Sequence, residues 1–288
     1  MKKIPIEQLS PNLWVQQSAW FDINSGIFVS QNQALLIDPG LSPNEVDSIS
    51  NFVIEKGWEI AGIYLTHWHW DHIMGPERLP NVPVYGPPFY DEVFEAENQN
   101  RTLTALAHWE KDAGISRTTP FVIPKPDKIF TNNDTLTVGD AELQIVHVPG
   151  HCKGQAALFE KNSGLFWSAD NLINFEVPFV FHSCEAFIQS LEHLKTLDIR
   201  HLVPGHANPT QDSAEINTRF SNSLSYLYEL KALVTQALAD GLNGAETIAQ
   251  GLEKMPITNR DALGPHRINI GQAYLEFGGE AGTKKLGW

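Results

Sequence analysis

Thr66-His67-Trp68-His69-Trp70-Asp71-His72 places three imidazoles and a carboxylate in one short run, directly after the apolar stretch Gly62-Ile63-Tyr64-Leu65. Ordering and desolvating such a cluster is costly unless something compensates it. A divalent metal ion, or two, would do so. Alternation along an extended chain turns His67 and His69 to one side and Trp68 to the other. Asp71 and His72 then follow in the turn that leaves the strand, where a second ion can be reached. A solvated histidine-rich loop is the alternative reading, and it would need no strand feeding it.

These four residues are too few for two ions, each of which takes roughly four to six ligands counting shared groups and water. Three downstream segments share one design, an apolar strand that ends in a potential ligand. Leu143 to Val148 alternates and is followed by Pro149-Gly150-His151. Leu165-Phe166-Trp167-Ser168-Ala169 runs into Asp170, and Ile199 to Val203 runs into Pro204-Gly205-His206. Strand ends are where open α/β layers hold their ligands.

On His67, His69, Asp71, His72, His151, Asp170 and His206, in this order and spacing, the chain resembles the metallo-β-lactamase superfamily of metal-dependent hydrolases. That superfamily includes the glyoxalase II type and the acyl-homoserine lactone lactonases. The likeness spans about residues 12 to 210 and takes in Leu35-Leu36-Ile37-Asp38-Pro39-Gly40, which is similar to the superfamily's early strand and turn. The resemblance implies an α/β fold: an αββα sandwich over residues 1–210 with a helical insert at about 86–126. A helical carboxyl-terminal region, 211–288, would pack on that core. It also implies a ligand set: His67, His69 and His151 for one ion, Asp71, His72 and His206 for the second, and Asp170 bridging them. Asp38 and Thr66 would orient the imidazoles through their far nitrogens. Zinc suits these ligands best, although iron and manganese tolerate the same set. Cys152 departs from the pattern, since relatives often carry a hydroxyl residue there; a small, half-buried thiol is expected.

The implied chemistry is hydrolysis. Two divalent ions, the carboxylates of Asp71 and Asp170 and a bridging hydroxide leave about one positive charge among neutral histidines, because coordination lowers the pKa of water to about 7. The hydroxide would attack a carbonyl carbon while an ion stabilises the oxyanion, and Asp71, as the catalytic acid and base, would carry the proton to the leaving group. The expected substrate is a small acyl thioester, ester or lactone. An iron-dependent oxygenase or persulfide dioxygenase on the same fold stays open, as does a non-catalytic sensor of a small ligand. The sequence holds no Gly-x-Ser-x-Gly, no phosphate-cradling Gly-x-x-x-x-Gly-Lys and no dinucleotide fingerprint.

Composition limits the partners. A formal charge of −14, from 34 acids against 20 bases, disfavours a nucleic-acid backbone, whose affinity comes largely from Lys and Arg. Met1-Lys2-Lys3-Ile4-Pro5 has no apolar stretch behind it, and no apolar run approaches a bilayer span. Two cysteines, Cys152 and Cys184, are too few for a disulfide framework. The expectation is a cytoplasmic protein with a small-molecule substrate and no membrane partner; assembly with like chains stays open.

Three segments fall outside the ligand pattern. In the insert at 86–126, Phe89, Val93, Phe94, Leu103, Leu106 and Trp109 supply the apolar positions of a helical stretch, a lid or a subunit contact. Asn171 to Cys184 carries Phe175, Phe179 and His182, candidates for an apolar substrate pocket, with core filling equally open. The carboxyl-terminal region reads as a long helix over Ala214 to Ala239, a shorter one over Ala245 to Glu253, and a last one from Pro265 through Phe277. His266 and Tyr274 on the last helix are further pocket candidates. The resemblance to glyoxalase II implies a carboxyl-terminal region that helps bind glutathione; no clear basic cluster is present for its carboxylates, with Arg260, Arg267, Lys284 and Lys285 the available bases, and the region equally resembles the helical lids of other members. Gln31-Asn32 and Asn132-Asn133 read as hairpin turns.

Overall fold

The computed structural model describes residues 5–280. Lys284 and Lys285, like the first four residues, lie outside the described residues. The chain divides into two compact units. One is the chain up to His147 with Ala156–Asn162, and the other is Val148–Gln155 with the chain from Ser163 onward.

The first unit opens as an antiparallel meander of β1 (Ile6–Ser10), β2 (Leu13–Gln17), β3 (Asn24–Ser30) and β4 (Gln33–Ile37). Gln31 and Asn32 join β3 to β4 with φ of 48° and 65°. Two left-handed residues in a two-residue loop make the turn whose twist matches the strands it connects. From β4 the chain crosses through α1 (Pro43–Glu55) to β5 (Glu59–Tyr64), which runs parallel to β4 and places Leu36 beside Ile63. The helix starts where it does because Pro43 presets its first turn and the Glu45 carboxylate accepts from the amides of Leu41 and Ser42 at 3.0 and 2.7 Å. Its stripe of Ile49 and Val53 is fully buried against Ile27, Leu36 and Ile63, each side chain contributing about 1.5–3 kcal/mol by leaving water. The switch from antiparallel to parallel pairing matters for function. Because β4 and β5 point the same way, Asp38 and Thr66 leave the sheet at one edge, and the Asp38 amide donates to the Tyr64 carbonyl at 3.0 Å.

The strand β6 (Val84–Gly86) extends the parallel run beside β5. A 3-10 turn over Tyr90–Phe94 and then α2 (Ala96–Asp112) follow. Residues three apart eclipse in a 3-10 turn, so Tyr90 and Val93 both point inward at 0% exposure. Phe89 and Phe94, two of the apolar positions of the expected helical stretch, are 47% and 38% exposed. Leu106 and Trp109 of α2 are buried. The short β7 (Lys128–Ile129) pairs with β6, whereas β8 (Thr135–Val138) pairs with β9 (Ala141–His147), and β10 (Ala156–Glu160) with β9. Asn132-Asn133 therefore turns, with Asn133 at φ 69°, but makes no hairpin. Asparagine tolerates the left-handed region, which marks a turn without choosing the partners of the strands it separates.

In the second unit β11 (Leu165–Ala169) is buried along its whole length and lies parallel to β12 (His201–Pro204), with Trp167 beside Val203. Between them in sequence comes α3 (Cys184–Leu194). Three helices close the unit. The first, α4 (Ser213–Ala239), buries Ile216, Phe220, Leu224, Leu227, Leu230 and Val234 at helical spacing, with Asp212 accepting from the Ala214 amide as its cap. The second, α5 (Gly244–Lys254), is capped by Asn243 and Glu246. The third, α6 (Leu263–Glu276), starts two residues before the expected Pro265, because a 3-10 turn over Arg260–Ala262 feeds directly into it. No helix among the described residues is long and apolar enough to cross a membrane.

Candidate metal centre

Each unit carries closely spaced imidazoles and carboxylates of the kind that ligate metal ions. In the first unit the cluster grows from the edge where β4 and β5 end. Asp38, at φ 43°, accepts from the Thr66 amide at 2.8 Å and the Thr66 hydroxyl at 2.6 Å. Its Oδ2 also lies 3.0 Å from His72 Nδ1. Thr66 Oγ1 in turn lies 3.1 Å from His67 Nδ1. Asp38, Thr66, His67 and His72 are all buried, while His69 and Asp71 are half-buried. A 3-10 turn over Trp70–His72, closed by the His72 amide on the His69 carbonyl at 3.0 Å, folds the run back on itself. The rings of His67 and His72 come within 4.3 Å, and those of His67 and His69 within 4.6 Å.

These bonds fix the tautomers. The Thr66 hydroxyl has one proton, and Asp38 takes it, so the hydroxyl can only accept from His67 Nδ1–H. His72 Nδ1 faces a carboxylate and must also donate. In each neutral ring the lone pair is then on Nε2, the atom a metal ion requires. His67 Nε2 lies 3.0 Å from His69 Nδ1, and His72 Nε2 lies 3.9 Å from Asp71 Oδ2.

The second unit repeats the logic with different parts. Gly150 has φ 141°, and a side chain there would collide with Phe187, so only glycine can deliver His151 from this turn. His151 Nδ1 donates to the Phe179 carbonyl at 2.8 Å, which again leaves the lone pair on Nε2. Asp170 Oδ2 lies 3.2 Å from His151 Nε2 and 3.5 Å from His206 Nε2. The Asp170 amide donates to Gln155 Oε1 at 3.2 Å. Ala169 and Ala207, beside Asp170 and His206, are left-handed at φ 49° and 70°. Such strain in non-glycine residues costs of the order of 1 kcal/mol each and concentrates at functional sites.

The donor set fits a metal ion. Around a tetrahedral zinc with Zn–N of about 2.0–2.1 Å, neighbouring ligand atoms sit about 3.3 Å apart. The spacings of 3.0, 3.2 and 3.5 Å within the clusters bracket that value. Cys152 is buried beside His151. Burial pushes the Cys184 thiol up to about 12, so it stays protonated.

The other residues singled out from the sequence lie in varied surroundings. The half-buried rings of Phe175 and Phe179 meet edge to face with centroids 5.4 Å apart, and Phe181 continues the series 6.3 Å from Phe179 and 5.2 Å from His151. The carbonyl of His182 accepts from Gln272 at 2.7 Å. His266 is fully buried, with Nδ1 2.7 Å from the Tyr226 hydroxyl, and Tyr274 is buried with its hydroxyl 3.4 Å from the Leu242 carbonyl; both are engaged inside the helical region. Sequence reading passed over the half-buried Trp70, which packs 5.4 Å from Trp109 and 6.1 Å from Phe21, and Trp20, 6.3 Å from Trp109. Phe21 is 56% exposed. The signal was available: Trp70 interrupts the ligand run, and Trp20-Phe21 follows a strand. Gln155 and Tyr226 were also passed over, because their bonds depend on tertiary contacts, and Asn269 was noted only as a residue of the last helix.

Comparison with known proteins agrees with this architecture. The family described as the metallo-beta-lactamase superfamily matches residues 19–206. A hydroxyacylglutathione hydrolase of Cereibacter sphaeroides is 27% identical over 205 residues, 68% of this chain and 68% of the relative. An atrochrysone carboxyl ACP thioesterase of Cryptosporiopsis sp. is 23% identical over 88% of this chain and 71% of its own length. The crystal structure of a metallo-beta-lactamase family protein from Thermus thermophilus superposes with a TM-score of 0.67 at 21% identity, covering 94% of both chains. The αββα fold with a helical carboxyl-terminal region is thus the fold of this chain, and with the match over residues 19–206 it belongs to the metallo-beta-lactamase superfamily.

Proposed function

We propose that the protein is a hydrolase that uses two divalent metal ions, zinc by preference, to cleave a small acyl thioester. His67, His69, His151 and Asp170 would hold one ion and Asp71, His72 and His206 the other, with Asp170 shared. The observation that carries this reading is the orientation of three buried histidines. His67, His72 and His151 each commit Nδ1 to an acceptor and keep the Nε2 lone pair for a cation. A binding module that only needed buried polar residues would have no use for that agreement.

Bound ions supply Lewis acidity for a carbonyl oxygen and bring the pKa of water to about 7. The chain's own groups do the rest. Asp38 and Thr66 hold His72 and His67 in one tautomer. Asp71, half-buried and with one carboxylate oxygen turned toward His72, takes the proton of the attacking water and passes it to the departing sulfur. The series Phe175, Phe179 and Phe181 ends at His151 and offers an apolar surface to an acyl group. The choice of a thioester over an oxyester or lactone is supported by the two relatives, one a hydrolase of hydroxyacylglutathione and the other a thioesterase.

The test compares a short acyl thioester with its matched oxyester and lactone, using zinc-loaded protein. The thioester should turn over fastest, and chelation should abolish turnover until metal is restored. Unchanged turnover in metal-stripped protein would sink the reading. Oxygen uptake by an iron-loaded sample, without hydrolysis, would replace it with oxygenase chemistry.

A further inference from the structure

The segment from Leu172 to Ser183 forms no helix or strand, yet it supplies the carbonyl that orients His151. Irregular backbone in a protein interior must find its hydrogen bonds somewhere. Here they come from two directions. Toward the ligand loop, the Phe181 amide donates to the His151 carbonyl at 3.0 Å, and the amides of His182 and Ser183 donate to the Gly150 carbonyl at 3.2 Å each. Toward the carboxyl-terminal region, Arg219 donates to the Leu172 carbonyl and Thr258 and Asn259 donate to Glu176, while the bonds to residues 178–183 come from one side of α6.

Asn269 accepts from the Val180 amide at 2.8 Å and donates to the Pro178 carbonyl at 2.7 Å, bracketing Phe179. Gln272 donates to the His182 carbonyl at 2.7 Å. Glu276 accepts from the Ser183 hydroxyl at 2.5 Å and from the amides of Cys184 and Glu185 at 2.7 and 3.2 Å. Positions 269, 272 and 276 recur at the three- and four-residue spacing that places side chains on one helix face. They meet the segment in the order of its own sequence. Asn269 is itself held, donating to the Tyr226 hydroxyl at 2.9 Å, whose oxygen lies 2.7 Å from His266 Nδ1. Both Asn269 and His266 are fully buried.

We propose that the Asn269, Gln272 and Glu276 face of α6 is a splint for the metal ligand His151, acting through the Phe179 carbonyl. Asn269 is the positioning residue at its centre. With its amide bonded on both sides of Phe179, that carbonyl stays aimed at His151 Nδ1, and the imidazole stays in the tautomer and rotation that present Nε2. Without Asn269, residues 178–180 lose both bonds to α6, the carbonyl is free to turn, and the ring loses its partner. The inference rests on His151 being a metal ligand, as in the function proposed above.

The experiment measures zinc affinity of the full chain by competition with a chromophoric chelator, for the wild type, Asn269→Ala and Ile270→Ala. Ile270 is fully buried on the same helix and makes none of these bonds, so it reports what general loosening of α6 does. Asn269→Ala should weaken one of two bound zinc ions about tenfold, at the lower end of the range for groups that support a ligand. It should also speed hydrogen exchange of the Phe181 and His182 amides. Ile270→Ala, at a similar loss of Tm, should leave zinc affinity within twofold of wild type. Wild-type affinity at both sites in Asn269→Ala overturns the splint while leaving the metal centre intact, and so does an equal loss in Ile270→Ala. A wild type that binds no zinc overturns the proposed function and the splint together. Should Asn269→Ala not fold, Tyr226→Phe decides, since it removes only the hydroxyl behind Asn269. A weakened single site then supports the splint, and unchanged affinity refutes it.

Discussion

The ligand-bearing segments of the two units differ in how their histidines are held. In the first unit all four candidate ligands fall between His67 and His72, and the side chains of Thr66 and Asp38 hold His67 and His72 directly. In the second unit His151, Asp170 and His206 sit at the ends of three strands, and a backbone carbonyl fixes His151. One cluster is thus set by a few neighbouring residues, and the other by the folding of a whole helical region. The local cluster is vulnerable to single side-chain changes. The distributed one is vulnerable wherever the backbone around it loosens.

Substitutions can break or sharpen that contrast. The largest effect should come from Asp170→Asn. If Asp170 serves both ions, zinc content by mass spectrometry falls from two toward zero and turnover drops by orders of magnitude. Loss of only one ion would mean that the clusters work independently. Next comes Asp38→Asn, which replaces the acceptor shared by Thr66 and His72 with a group that must donate through its amide. Zinc affinity should fall about 10- to 100-fold at the site that uses His72, which Asp38 touches directly, and less at the site of His67 and His151, which Asp38 reaches only through Thr66; equal losses at both sites would erase the distinction.

The smallest effect concerns His266, behind the splint. Burial holds its pKa below the ordinary histidine value, so it stays neutral in the folded protein while the unfolded chain takes up a proton near pH 6.5. Its contribution is therefore fully present above about pH 6.5 and is lost as pH falls below that value. Thermal melts of metal-free protein at pH 7.5 and pH 5.5 should show a smaller drop in Tm for His266→Gln than for wild type. An identical drop would remove His266 from the acid sensitivity of the helical region.

What could be read from the sequence follows the same division. The run from Thr66 to His72 is visible because its density is local, and His151, Asp170 and His206 are visible because each ends an apolar strand. The long helix α4 announces itself through apolar residues spaced three and four apart, and the αββα fold is implied by the family resemblance that the ligand residues carry. The exposure of Phe89 and Phe94 could not be read, since composition does not distinguish a 3-10 turn from an α-helix. Nor could the strand partners around Asn132-Asn133. The polar face of α6 is the instructive miss: Asn269, Gln272 and Glu276 look like an ordinary solvated stripe until a strandless segment is found against them.

Ala169 carries a consequence for how this chain can drift. It is buried, left-handed and immediately before Asp170. Glycine there would relieve about 1 kcal/mol of backbone strain, but it would also enlarge the unfolded ensemble by an amount worth about 0.4–1 kcal/mol, so the exchange is close to neutral. A β-branched residue meets both the forbidden dihedral and a filled interior. Mutational traffic at this position should therefore run between alanine and glycine alone, which makes the spot a narrow corridor in sequence space beside a carboxylate that has little freedom of its own.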